Sequence, residues 1–186
     1  VAPSRGLGDV YKRQMVRSSV KSVFNFDSVG LMNIISDMNQ DQFADKPVIY
    51  GGAINQGRVN FKVELARVKK KMEAGATFFM TQPVFSDEDI SRLRQIKEET
   101  GARILCGIMP FVSLRNATFM KNEMTGINVT DEILARYSAD MTKEEGEETG
   151  IQIAKEIITK TSDFVDGYYF SFPFNRVHML EKILNA

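Results

Sequence analysis

The sequence predicts an α/β protein that forms half of a (β/α)8 barrel, and three observations carry that reading. Short apolar runs alternate with amphipathic stretches from Val16 onward. Four of the apolar runs read as strands, each apolar along most of its length, as expected when pairing is parallel and helices cover the sheet. The chain has 186 residues, whereas a complete eight-stranded barrel takes about 250. A doubly wound sheet also fits strand–helix alternation. Four strands with an extra helix between the third and fourth suit half a barrel better.

Val29, Met32, Ile35 and Met38 fall at helical spacing, so residues 28–39 read as the first helix. Pro47 to Ala53 is a short buried strand that ends in glycines. Phe61, Leu65, Val68 and Met72 mark one face of the next helix, and Gly75 stops it. Thr77 to Thr81 is the second strand. Ser86 and Asp89 have capping-box spacing and start a helix that ends near Gly101. Arg103 to Ile108 is the third strand, closed by Pro110. Ser113 caps a helix to about Glu123, Thr130 starts another, and Gly150 to Ser162 places Ile151, Ala154, Ile157 and Ile158 on one face. Gly167 to Phe172 is the last strand, and Asn175 to Leu184 the closing helix.

Composition narrows the function. Lys+Arg and Asp+Glu both number 24, so no net field draws the chain to nucleic acid or membrane. No apolar run approaches the roughly 20 residues that span a bilayer. One cysteine, Cys106, excludes an internal disulfide and points to a reducing cytoplasm. With His178 the only histidine, a Ser-His-Asp triad or a His-based zinc site is disfavoured. Residues 1–14 lack both periodicities, carry Pro3, Gly6 and Gly8, and are not followed by the apolar segment of a signal peptide. They resemble translated adaptor sequence, so residues 15–186 are taken as the domain, and the natural protein is expected to extend further N-terminal.

In both candidate architectures ligands meet the C-terminal ends of the strands. Those ends carry Gly51-Gly-Ala-Ile-Asn55, Thr81-Gln-Pro83, Gly107-Ile-Met-Pro110 and Phe172-Pro-Phe-Asn-Arg176, and the N-terminal ends show nothing comparable. Gly52 to Gly57 has the glycine spacing of a phosphate-binding loop, but Arg58-Val59 replaces the Lys and Ser/Thr that nucleotide hydrolysis needs. Glycines that let a strand turn into a loop explain it better. Glu64, Arg67, Lys70 and Lys71 share one helix face, which is either a solvated basic surface or a cationic patch for phosphates. Gln82 at a strand end is either a turn-capping amide or a donor–acceptor pair for the amide edge of a pterin-like ring. Cys106 reads as a buried apolar residue, His178 as structural, and Phe78, Phe79, Tyr168, Tyr169 and Phe170 as strand core.

Taken together, these strings resemble one family. Met72-Glu-Ala-Gly-Ala-Thr-Phe-Phe-Met-Thr-Gln-Pro-Val-Phe85, Gly107-Ile-Met-Pro110 with Arg115-Asn-Ala117, and Tyr169-Phe-Ser-Phe-Pro-Phe-Asn-Arg176 resemble successive signatures of methylenetetrahydrofolate reductases, from the sixth barrel strand to the eighth. Order and spacing agree from about Val20 to Leu184, which implies the C-terminal half of the barrel. The Gln-Pro-Val-Phe form is similar to the branch often fused to a homocysteine methyltransferase domain.

The resemblance implies FAD-dependent reduction of 5,10-methylenetetrahydrofolate to 5-methyltetrahydrofolate with NADH or NADPH as donor, in a cytoplasmic protein that is a homo-oligomer when complete. It implies flavin contacts at Phe24, Asn25 and Ile54, the last a position often aromatic. It implies ribose and phosphate contacts at Glu64, Arg67, Lys70 and Lys71. Gln82 matches the glutamine that hydrogen-bonds the pterin. Leu114 stands where some relatives stack a phenylalanine, and Phe174 and Arg176 match substrate-side positions. The family's general-acid glutamate and flavin-tuning aspartate precede the region present, so no catalytic residue is assigned and the chain alone is expected to be inactive. The alternative is a small α/β module that binds another phosphate-bearing ligand.

Overall fold

The computed structural model describes residues 26–185, the side chain of Phe174 excepted. Phe24, Asn25 and the segment 1–14 lie outside the described residues. In chain order the elements are α1 (Ser28–Gln40), β1 (Gly51–Ile54), α2 (Phe61–Glu73), β2 (Phe78–Pro83), α3 (Asp87–Thr100), β3 (Ile104–Ile108), α4 (Leu114–Glu123), α5 (Asp131–Ala135), α6 (Lys143–Thr161), β4 (Gly167–Phe170), a 3-10 turn (Pro173–Asn175) and α7 (His178–Leu184).

The four strands pair in parallel in the order β1-β2-β3-β4. The order never reverses, whereas a doubly wound sheet reverses at its switch point. A singly wound run of parallel strands with helical crossovers is the arrangement of a barrel wall, and the half-barrel expectation holds. Among the described residues the sheet does not close, so β1 and β4 are edges.

Alternation along β2 separates the two faces. Phe79, Thr81 and Pro83 are buried, while Phe78, Met80 and Gln82 are half-buried. The first set points toward the helices, as the contacts of Tyr168 on β4 with Thr161 and Ile158 of α6 also indicate for its own strand. The second set lines the concave face, the side that becomes a barrel's interior. The core lies between sheet and helices, where Ile54, Val68, Leu93, Ile96, Ile104 and Met179 are fully buried. Each such side chain contributes roughly 1.5–3 kcal/mol relative to exposure.

Most helix starts follow from short polar side chains that take up free backbone N–H groups. Asp27, Asn60, Ser86, Ser113 and Thr130 accept from the backbone N–H three residues on. Thr142 and Glu145 form a reciprocal capping box, with bonds of 3.2 and 2.7 Å. At its C-terminus α3 stops at Gly101, whose φ of 66° is the left-handed region that favours glycine.

Four boundaries differ most from expectation. β1 begins at Gly51 rather than Pro47; upstream, Val48 instead exchanges two hydrogen bonds with the Asn39 side chain. The last strand ends at Phe170 because Pro173 starts a 3-10 turn, and α7 begins at His178 rather than Asn175. α6 begins at Lys143, seven residues before Gly150, and runs through Gly146 and Gly150. These glycines are contact points: a Cβ on Gly150 would lie 1.9 Å from the Phe111 carbonyl oxygen, and one on Gly146 would lie 2.4 Å from that of Val112. Their bareness lets α6 press against the loop that follows β3.

Candidate functional site

The loop after β1 is fixed from beneath by α2. Glu64, nearly fully buried, accepts the Asn55 N–H at 3.0 Å and lies 3.5 Å from the Arg58 guanidinium. Lys71, also buried, donates from Nζ to the Ala53 carbonyl at 2.5 Å. Phe79 donates its N–H to Arg103 on the β3 side. Its register partner Gly52 therefore faces β2, and Ala53, one residue on, faces the open edge. Lys71 thus satisfies an edge carbonyl. Burial pulls the Lys71 ammonium below the ordinary lysine range, with Glu64 opposing that pull.

The expected cationic face therefore divides in two. Glu64 and Lys71 belong to the buried side of α2 together with Val68. Arg67 is half-buried and Lys70 exposed. The sequence places all four on one face by spacing, but spacing cannot tell that two of them point at a strand end. Ile54, where the resemblance leads one to expect a flavin contact, is fully buried and carries no exposed surface.

Gln82 closes β2 on the concave face. Its backbone is gripped on two sides. The Gln56 amide donates to the Gln82 carbonyl at 2.9 Å and to that of Pro83 at 3.4 Å, and it accepts the Gln82 N–H at 3.1 Å. The Thr81 hydroxyl donates to the same Gln82 carbonyl at 2.7 Å and accepts the Gly107 N–H at 2.9 Å. Here the β2–β3 register shifts between Met80 and Pro83, as at a bulge that re-aims a side chain. Tyr169 donates to the Thr81 carbonyl at 2.5 Å, and burial pushes its phenol up to about 12. The sequence shows Thr81 as part of a polar strand end, but it reads Tyr169 as strand core and Gln56 only as loop. No pattern in one sequence separates a buried loop glutamine from an exposed one.

Beyond β3 the chain turns at Pro110, and Phe111 stacks on Phe85 at 4.4 Å. A cavity of about 690 Å³ opens here, lined by Val112, Ser113, Leu114, Arg115, Thr118, Met141 and Arg176 among others. It brings together two of the expected substrate-side positions, Leu114 and Arg176. Arg176 pairs with Glu147 of α6 at 2.8 Å, and Glu147 also meets His178 at 2.8 Å. The His178 hydrogen bond, with Arg176 behind it, holds the Glu147 carboxyl below the usual range. A neighbouring cavity of about 750 Å³ shares Ser138 and Met141 and carries Asp140, Glu145, Glu148 and Arg136.

Cys106 is buried, and burial pushes its thiol up to about 12, as for an apolar core residue. Among the described residues no cluster of His, Cys, Asp and Glu is arranged to hold a metal ion, and no helix is long and apolar enough to cross a membrane.

A family model described as methylenetetrahydrofolate reductase matches residues 7–185. No curated protein matches the chain. Among solved structures 61 chains match. One is an uncharacterized protein from Clostridium thermocellum that binds two copies of 5-methyl-5,6,7,8-tetrahydrofolic acid. It superposes with a TM-score of 0.56 at 14% identity, over 95% of this chain and 66% of its own. At that identity the likeness concerns the fold alone.

Proposed function

The chain belongs to the methylenetetrahydrofolate reductase family, and we propose that it forms the folate-binding wall of a flavin-dependent reductase. The reaction is reduction of 5,10-methylenetetrahydrofolate to 5-methyltetrahydrofolate with NADH or NADPH as donor. The observation that carries this reading is Gln82, held by its backbone at the mouth of the concave face with its side-chain amide left to recognise a ligand. A primary amide offers a donor and an acceptor together, which complements the amide edge of a pterin. The 690 Å³ cavity that joins Leu114 and Arg176 has the size of a small-molecule site. The folate bound by the Clostridium thermocellum protein agrees with this ligand class.

For FAD, Arg67 and Lys70 supply accessible cations for a diphosphate. Glu64 and Lys71 fit a different task, holding the loop and the strand edge beneath it. When bound, FAD supplies the hydride relay between nicotinamide and folate. The residues of this chain bind and orient the folate, and the wall they form excludes water from one side.

Titration of the chain with 5-methyltetrahydrofolate, FAD and, for comparison, ATP tests this. Folate and FAD should bind with ATP inert. Binding of ATP without folate would favour the module for another phosphate-bearing ligand.

A further inference from the structure

Gln56 is wholly buried although it sits in a loop, and every hydrogen bond of its side chain goes to the backbone at the end of β2. β1 stops pairing at Ile54, opposite Thr81. One step further along β2, Gln82 would have its N–H and carbonyl unmet by any strand. The Gln56 amide meets both, accepting from the N–H at 3.1 Å and donating to the carbonyl at 2.9 Å. A primary amide has the donor and acceptor of a peptide group, so this side chain acts as one more residue of β1.

Gln56 is itself fixed from the other side. Arg92 on α3 donates to the Gln56 carbonyl at 2.8 Å and to the Arg58 carbonyl at 3.2 Å, and pairs with Glu88 at 2.5 Å. A rigid helix therefore holds the loop, the loop holds Gln56, and Gln56 holds the backbone of Gln82. The glycine-flanked string Gly52 to Gly57 is thereby accounted for without a phosphate.

We propose that Gln56 is a positioning residue for substrate recognition: it fixes the backbone of Gln82 so that the Gln82 amide meets the folate ring in one orientation. This rests on the folate reading of Gln82. A binding amide on an unpaired strand end would sample several directions, and freezing it beforehand lowers the ordering cost of binding.

The test is a double-mutant cycle in the complete chain. Gln56→Met is nearly isosteric and removes the hydrogen bonds. It should accelerate exchange of the Gln82 amide proton, read by NMR, and weaken binding of 5-methyltetrahydrofolate by about tenfold. Introduced on top of Gln82→Ala, it should weaken binding no further, while lowering the thermal midpoint equally in both backgrounds. If Gln56→Met does not fold, Gln56→Glu carries the same comparison, since it keeps the acceptor and loses the donor. Unchanged exchange at Gln82, or an equal loss of affinity with and without the Gln82 amide, overturns the proposal. A parent chain that binds no folate overturns the folate reading and the substrate half of the proposal; amide exchange at Gln82 then decides whether the clamp exists.

Discussion

Tyr169 of β4 reaches the Thr81 carbonyl of β2 at 2.5 Å by lying across Gly107 of the intervening strand. A Cβ on Gly107 would sit 2.6 Å from the Tyr169 hydroxyl oxygen. Gly107→Ala should therefore displace the phenol, break the cross-strand bond and cost about 1–3 kcal/mol in overpacking. Tyr169→Phe removes the bond alone and should cost about 1 kcal/mol. Chemical denaturation of both variants checks the order; a Gly107→Ala chain as stable as the parent would mean that Tyr169 does not occupy this position.

Gly150 gives a sharper test of packing. Helix propensity favours alanine over glycine in a helix interior by about 1 kcal/mol. The Cβ would however meet the Phe111 backbone oxygen at 1.9 Å, and backbone cannot swing aside. Gly150→Ala should lower stability by about 2 kcal/mol or more. A stabilised variant would show that α6 does not approach the loop after β3.

The two lysines of α2 should separate in experiment. Lys70 is exposed and Lys71 is tied to the Ala53 carbonyl. Lys70→Ala should leave stability within about 0.5 kcal/mol and weaken FAD binding about tenfold. Lys71→Ala should destabilise by about 1–3 kcal/mol, leaving a carbonyl unpaired. Thermal melts beside flavin titrations distinguish them; a Lys71 variant that loses flavin affinity at unchanged stability would return Lys71 to the cofactor.

Asp89 sits fully buried in the first turn of α3, its carboxylate oxygens lacking hydrogen-bond partners among the described residues. Burial pushes its carboxyl up from 3.8 to about 6, against the Ser86 hydroxyl and Arg92. A folded-state value above the unfolded one means the native state holds the proton longer. This contribution to stability is full below pH 4 and is lost as pH rises to about 6. Asp89→Asn should remove that loss and raise stability at pH 7 by on the order of 1–3 kcal/mol. Paired unfolding curves at pH 4 and pH 7 measure it; an equal difference at both pH values would mean that Asp89 is not desolvated.

The sequence discloses much of the architecture because apolar period and capping residues act locally. Ser113, Thr130 and the Ser86–Asp89 pair each mark a helix start that the structure keeps. Gly146 and Gly150 mislead for the opposite reason: they answer to the Phe111 and Val112 carbonyls, which are remote in sequence. The same division runs through the site. The strand ends and Gln82 are visible as polar residues after apolar runs, whereas Gln56, Arg92 and Tyr169 act through contacts that only the fold creates. The helix period places Glu64 and Lys71 beside Arg67 and Lys70. It says nothing of how far a long side chain reaches under a strand edge.

The central claim is that the Gln82 amide at the end of β2 recognises a folate. Isothermal titration of 5-methyltetrahydrofolate into the chain and into Gln82→Ala tests it most directly, with Lys160→Ala, an exposed position on α6, as a control. The account predicts saturable binding to the parent and control. It also predicts a loss of tenfold or more on removing an amide that makes a paired donor–acceptor contact. Equal affinity of parent and Gln82→Ala would contradict it.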